Sequence, residues 1–154
     1  MQRLTNMMFM TSSIFIDSSI LIEYNKGAKI KLLSSLLKDQ QNVCHINETV
    51  ISEFLYHFLA KNSDTSPKTL QRKNEIASVF ERSRQYAIIH LFSFLPSDES
   101  MLNLVPQFMQ QYNPLPNDAI ILATCKIHNV KQPASHDKDF EAACKGEGIE
   151  LITE

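Results

Sequence analysis

The chain has 154 residues, of which 44% are hydrophobic and 21% charged, the proportions of an ordinary globular protein, and these exclude a fibrous or disordered chain. Its formal net charge of -2 at pH 7 excludes capture of nucleic acid by an overall positive field, but not by a site at which a bound metal ion supplies the positive charge. We expect one domain over residues 1–154, with residues 1–12 as a loose N-terminal extension.

The first half of the chain predicts two strand–helix units. Residues Ile14–Asp17 are apolar up to a final acid, which is typical of a short buried strand, and Ser18 or Ser19 can cap the helix that follows. Residues 42–46, with the sequence NVCHI, are a second strand candidate. Asn47 then precedes apolar residues at helical spacing, so we expect it to cap the next helix.

The second half continues the alternation of strands and helices. Pro67 suits the first position of a helix and begins a long helical pattern that extends to residue 91. A short strand that begins at residue 92 and ends in Pro96 is expected next, and Pro106 is expected to kink or break the helix after it. The remaining expected elements are a buried helix over 118–129, a strand over 130–136, a short helix over 137–146 ended by Gly146, and a final strand over 148–152.

This alternation predicts an α/β fold. Strands that alternate with helices along the chain form mostly parallel sheets, because each right-handed crossover returns the chain in the same direction. We therefore expect a small parallel sheet of about four or five strands sandwiched by helices. In such open sheets, ligands bind outside the carboxyl ends of the strands.

The cysteines and the apolar runs bear on where the protein works. The chain has three cysteines, an odd number without a C-x-x-C pair, which predicts reduced, buried thiols and a cytoplasmic protein. It has no apolar run of the roughly 18 residues needed to span a bilayer and no secretory leader pattern. Neither secretion nor a membrane partner is therefore expected.

Four acids from distant segments are predicted to meet at the carboxyl edge of the sheet. Asp17 closes the first strand, Asp137 follows the strand near residue 135, and Asp118 lies in the first turn of a buried helix. Glu53 lies about one turn into the helix after the second strand, so its long side chain can reach the same edge. Taken singly, each acid has an ordinary explanation as a helix cap, a turn residue or a solvated residue. Their joint arrangement is what favours a site.

A cluster of carboxylates implies a cation. Buried anions repel one another and are driven to protonate unless a positive charge lies among them. Oxygen donors suit Mg²⁺ or Mn²⁺, which keep water ligands and bridge to substrate phosphates. Such a site can activate water for attack on a phosphodiester. The histidines have no H-E-x-x-H or Cys/His spacing that would indicate zinc, and the three glycines form no phosphate-cradling loop.

Four motifs in order resemble the acidic motifs of the PIN-domain nucleases: IFIDSSILI, TVISEF, LPNDAIILATC and ASHDKDF. The resemblance spans nearly the whole chain, and the length is similar to that of VapC-type toxins of toxin–antitoxin pairs. It implies that Asp17, Glu53, Asp118 and Asp137 form a catalytic and metal-binding cluster. It also places Ser135 at a hydroxyl position near the site, with Asp139 as a substitute for Asp137 or an accessory acid.

The same resemblance implies a function. Members of the family hydrolyse RNA with Mg²⁺ or Mn²⁺, are often homodimers, and as toxins are inhibited by a small antitoxin. For this chain the expected partners are thus an RNA substrate, a cognate antitoxin protein and a second copy. We place the dimer contact on the apolar helix faces of Ile30–Leu37 and Met101–Phe108.

Several alternatives stay open at this point. Glu48 competes with Glu53 for the second motif, and a catalytically silent module that binds RNA or protein is the main alternative function. A phospho-acceptor domain, which also clusters Asp residues, is a third. The segment after Pro67 either grips an RNA backbone or is a solvated face, through the basic residues Lys68, Arg72, Lys73, Arg82 and Arg84.

Overall fold

A computed structural model describes residues 11–154 and has a four-stranded parallel sheet. The strands are β1 (Ser12–Ile16), β2 (Asn42–Ile46), β3 (Ser93–Phe94) and β4 (Gln132–Ala134). Their order in the sheet is β3-β2-β1-β4, and every pair is parallel. The predicted fold, a small parallel sheet sandwiched by helices, is confirmed.

Helices connect the strands and flank the sheet. The α-helices are α1 (Ser18–Asn25), α2 (Ile30–Lys38), α3 (Glu48–Lys61), α4 (Pro67–Lys73), α5 (Ile76–Arg82), α6 (Met101–Tyr112), α7 (Pro116–Ile127) and α8 (Glu141–Glu147). Two 3-10 helices cover Gln85–Leu91 and Lys138–Phe140. No described helix is long and apolar enough to cross a membrane.

The central strand β1 is the most buried part of the sheet. Ile14, Phe15 and Ile16 are all buried, as expected for a parallel strand covered by helices on both faces. Each such side chain contributes roughly 2 kcal/mol by leaving water. This burial fixes the carboxyl end of β1, and with it the position of Asp17.

Two caps determine how the helices leave the sheet. Asp17 is itself the N-cap of α1, so the predicted cap at Ser18 or Ser19 is wrong; the carboxylate at the strand end already accepts a hydrogen bond from the Ser19 N–H at 3.4 Å. Asn47 caps α3 as predicted, accepting from the Val50 N–H at 3.0 Å. Its side-chain amide also donates to Thr124 in α7 at 2.9 Å, which ties α3 to α7.

The predicted long helix after Pro67 is wrong. Pro67 does begin α4, but Asn74 ends that helix in the left-handed conformation with φ of 56°, and an extended Ser83 ends α5. Asparagine tolerates this conformation better than most residues, which explains the break. The pieces pack around a small second core of Phe58, Leu70 and Val79. All five basic residues of the segment are exposed.

The last third differs from prediction in three places. Helix α6 continues through Pro106 without a break; the carbonyl that loses its partner is that of Leu102, whose side chain is 74% exposed, so water can reach this turn. Helix α8 continues through Gly146 to Glu147, and the residue that caps its end is Gly148, with φ of 65°. The expected final strand is reduced to one bridge between Ala134 and Ile152.

The remaining predictions on the chain's organisation have mixed outcomes. The three cysteines, Cys44, Cys125 and Cys144, are free and buried, as predicted. Residues 1–10 of the expected N-terminal extension lie outside the described residues, whereas Ser12 pairs with Asn42 as the first residue of β1. One domain over residues 1–154 stays a prediction.

Candidate active site

The four predicted acids line one cleft at the carboxyl edge of the sheet, which we call the acid cleft. The cleft has a volume of about 470 Å³, and its wall includes Asp17, Glu53, Asp118 and Asp137. Asp17 follows β1, Asp137 follows β4, and the other two acids lie on helices α3 and α7. Asp17 and Asp137, which are 120 positions apart in the chain, are thus brought together, as expected for the ends of neighbouring parallel strands.

Asp17 is buried and held by hydroxyl groups. Its side chain is only 4% exposed, and Ser19 and Ser135 both donate to its Oδ2 atom at 2.6 Å. Burial raises the pKa of Asp17 above its ordinary value, although the hydrogen bonds from Ser135 and Ser19 lower it, and the charge of Glu53 adds to the rise. Because both strong donors share Oδ2, the other carboxylate oxygen keeps only a long contact, at 3.4 Å, with the Ser18 hydroxyl.

Glu53 is oriented by two donors from opposite sides. The Ser18 hydroxyl donates to its Oε2 atom and the Asn117 amide to its Oε1 atom, each at 2.5 Å. Ser18 begins α1 and Asn117 lies in the first turn of α7, so the carboxylate connects the starts of both helices. A long flexible side chain is thereby held in one position at the cleft.

The pKa of Asp118 is raised by burial and by the other acids of the cleft. It is half-buried in the first turn of α7, and burial together with the charges of Asp17, Asp137, Glu53 and Asp139, in that order, raises its pKa to about 6. Positive charge placed among these acids would reverse this effect and favour the ionised form.

Asp137 and Ser135 join β4 to the cleft. The Asp137 N–H donates to the Ser135 hydroxyl at 2.9 Å, which in turn donates to Asp17. The Asp137 carboxylate caps the short 3-10 helix after it by accepting from the Asp139 N–H at 2.8 Å. Asp139 lies outside the cleft wall and is exposed. Of these two acids, Asp137 has the better position for the fourth motif.

The donor set fits a hard divalent cation. The acids of the cleft offer carboxylate oxygens, which Mg²⁺ and Mn²⁺ prefer. Within residues 11–154, however, no three His, Cys, Asp or Glu side chains are close enough to enclose a metal by themselves. Water and substrate oxygens would have to complete the coordination, as is usual for Mg²⁺.

Comparison with known proteins decides the family. The model of the PIN domain family matches residues 14–146, which is most of the chain. This chain belongs to the PIN domain family. Ribonuclease VapC6 of Methanocaldococcus jannaschii is 33% identical to it, and the match covers 93% of this chain and 98% of that protein. The resemblance inferred from the four motifs is confirmed.

Solved structures share the PIN fold. VapC20 of Mycobacterium tuberculosis, a toxin that cleaves the sarcin–ricin loop, has a TM-score of 0.54 and 15% identity, covering 84% of this chain and 94% of its own. VapBC2 of Rickettsia felis, solved bound to a DNA fragment from its promoter, has a TM-score of 0.57 and 14% identity, covering 92% and 97%. At these identities the likeness is one of fold.

The cleft also contains residues that were not predicted to lie at the site. Asn117 contacts Glu53 and Ser19 contacts Asp17, but in the sequence Asn117 stands only next to Asp118, and Ser19, two positions after Asp17, stands only as a candidate helix cap. A polar residue within two positions of an acid is the signal that could have found them. Glu48 instead accepts from the Ser97 N–H at 3.2 Å in the loop after β3, so Glu53 is the acid of the second motif that reaches the cleft.

Proposed function

We propose that this chain is a metal-dependent ribonuclease that hydrolyses RNA phosphodiester bonds at the acid cleft. The observation that carries the proposal is the presence of Asp17, Glu53, Asp118 and Asp137 on one cleft wall, with the pKa of Asp118 raised to about 6 by burial and by the other acids. Membership in the PIN family and the likeness to a protein named ribonuclease VapC6 support it.

The acids have separate roles in this proposal. Asp17, Asp118 and Asp137 would hold Mg²⁺ or Mn²⁺ together with water ligands, because no three acids of the described residues enclose an ion by themselves, and Glu53 would either hold a second ion or orient the attacking water. Such an ion would supply the positive charge that activates water and stabilises the leaving oxygen. Ser18 and Asn117 fix the direction of the Glu53 carboxylate. Ser19 and Ser135 both donate to Oδ2 of Asp17, which leaves its Oδ1 atom for coordination.

The relatives support a proposal about the biological role. We propose a cytoplasmic toxin that is inhibited by a cognate antitoxin, since VapC20 is a toxin and VapBC2 was solved as an assembly on promoter DNA. A homodimer is proposed on the faces over residues 30–37 and 101–108, where Ile30 is 47% and Leu102 74% exposed. Such side chains are suited to bury apolar area against a second copy.

The direct test is cleavage of mixed RNA by the purified protein with Mn²⁺ and with EDTA. We expect cleavage that requires the metal and falls at least about 100-fold in Asp118→Asn, because loss even of an outer-shell partner often costs 10- to 100-fold. Asp64→Asn, an exposed acid outside the cleft, is the matched control and should cleave normally.

Two other outcomes would replace the proposal. If the protein cleaves no RNA with Mn²⁺ but still binds it, it is a catalytically silent RNA-binding module. If it neither cleaves nor binds RNA, a protein-binding module is the better description. Equal cleavage by Asp118→Asn and the wild type would indicate a contaminating nuclease.

A further inference from the structure

A second cleft lies at the other end of α1 from the acids. Its wall includes Tyr24 and Asn25 at the end of α1, together with Arg84, Gln85 and Leu91 from the 3-10 helix region. Its volume of about 410 Å³ is in the range of sites that bind small organic molecules. The two clefts share no lining residue, so this one is a separate feature of the surface.

The second cleft lies further along helices α1 and α3 than the acid cleft does. Ser18 lines the acid cleft and Asn25 lines the second; seven residues of helix separate them, or roughly 10 Å at a rise of 1.5 Å per residue. On α3, His57 lines the acid cleft, and Lys61, one turn later, donates to the Asn25 carbonyl and to Gln85 Oε1. At a rise of about 3.4 Å per nucleotide, this distance spans two or three nucleotides.

The groups around the second cleft suit a nucleotide. Single-stranded RNA is recognised by stacking its bases on aromatic or guanidinium planes and by hydrogen bonds to the base edges. Tyr24 and Arg84 offer such planes, and the amides of Asn25 and Gln85 offer both donors and acceptors.

The positive charges beside the second cleft also favour an RNA ligand. Ion pairs among the described residues are limited to Lys26–Glu23 and Lys126–Glu147, so the charges of Arg84 and Lys61 are available to phosphate.

We propose that this second cleft binds a nucleotide of single-stranded RNA, two or three positions from the bond cut at the acid cleft. The inference rests on the proposed ribonuclease function and deepens it, because a base held at a fixed distance from the metal determines which sequences are cut. Arg84 contacts phosphate or stacks on the base, and Gln85 reads the base edge.

The test measures RNA binding separately from cleavage. Fluorescence anisotropy with labelled single-stranded RNA octamers in EDTA gives the affinity of the wild type, Arg84→Ala and Gln85→Ala. Loss of a charged contact is expected to weaken binding about tenfold in Arg84→Ala, and Gln85→Ala is expected to change the preference among sequences. Lys38→Ala is the control. It removes a charge of the same sign at the end of α2, which leads into the amino end of β2 and so lies away from the carboxyl edge. It should change the affinity for RNA less than about twofold.

Cleavage-site mapping with Mn²⁺ then separates the two proposals. The first informative outcome is that the wild type cleaves RNA while Arg84→Ala and Gln85→Ala have unchanged affinity and unchanged site preference. This result would overturn the proposed nucleotide cleft and leave the proposed ribonuclease function standing. The second cleft would then be a site for a protein partner. No cleavage, but binding that depends on Arg84, would support the nucleotide cleft and remove the ribonuclease. An abasic position two or three nucleotides from the cut should weaken wild-type cleavage and have little further effect in the variants.

Discussion

Replacing Asp118 with asparagine should make the metal-free protein more stable. The pKa of Asp118 is raised from 3.8 to about 6, first by burial and then by the charges of Asp17, Asp137, Glu53 and Asp139. In the folded protein the carboxyl therefore binds its proton more tightly than in the unfolded chain. Ionisation above pH 6 consequently costs folding free energy, and a neutral side chain of the same shape avoids that cost.

The size of the gain can be worked from the shift. About two pKa units correspond to roughly 3 kcal/mol at 1.36 kcal/mol per unit. Because Asp118 is only half-buried, solvent screening reduces this to about 1.5 kcal/mol. A first-turn carboxylate also interacts favourably with the dipole of α7, and losing that interaction offsets about 0.5 kcal/mol. We expect Asp118→Asn to raise the free energy of unfolding by about 1 kcal/mol at pH 7.5.

The pH dependence has a definite sign. Stability contributed by a raised carboxyl pKa is present at low pH and is lost as the pH rises through the folded value of about 6. The advantage of Asp118→Asn should therefore be full at pH 7.5, decrease below pH 6 and nearly vanish at pH 4, where the wild-type carboxyl is protonated in the folded state.

Urea unfolding in EDTA at pH 7.5, 6 and 4 measures this difference. Asp64→Asn is the control, since an exposed acid outside the cleft should change stability by less than about 0.5 kcal/mol. Added Mn²⁺ should reverse the order by stabilising the wild type more than Asp118→Asn. An Asp118→Asn protein no more stable than the wild type at pH 7.5, or a difference that does not vary with pH, would refute the electrostatic account of the cleft.

Three further substitutions test individual contacts of the fold and of the site. Asn47→Ala removes a helix cap and a buried hydrogen bond to α7, so urea unfolding should show a loss of about 2 kcal/mol; a loss below about 0.5 kcal/mol would contradict this. A Cβ atom at Gly146 would overlap the Tyr112 ring, so Gly146→Ala should cost about 1 kcal/mol by thermal unfolding, and less in a Tyr112→Ala background. Asn117→Ala leaves Glu53 with one donor and should lower cleavage at least about tenfold with a nearly unchanged melting temperature; unchanged cleavage would assign Asn117 no positioning role.

The sequence predicted those parts of the fold that depend on local patterns. The apolar run ending in Asp17 and the cap at Asn47 use neighbouring residues only, and the parallel-sheet rule then places strand ends at one edge. The break at Asn74 was not predicted, because asparagine is tolerated in helices and the left-handed turn depends on packing of α4 and α5 against Phe58. The bridge at Ile152 shows the same limit, since its pairing depends on β4.

The contacts that orient the acids were beyond sequence reasoning for another reason. Asn117 meets Glu53 across 64 positions, and Ser135 meets Asp17 across 118. Such pairs are determined by how the helices pack, and neither their distance nor their direction is encoded in spacing along the chain. The four acids and a hydroxyl group at Ser135 near them were therefore predictable, whereas the atoms that Ser135 contacts and the contact of Asn117 with Glu53 were not.

Acids are placed against the core because the core holds them still. Asp17 follows a strand whose last three residues are buried, and burial raises its pKa, so the fold gives up stability to keep a carboxylate there. A flexible surface loop would remove that cost, but it would also let the acids move apart from one another. The same burial that destabilises the metal-free charges strengthens their attraction to a bound cation, because screening by water is weaker there. Stability lost in the free protein is thus recovered when a cation binds, which is why Asp118→Asn should stabilise the free protein and weaken its response to Mn²⁺.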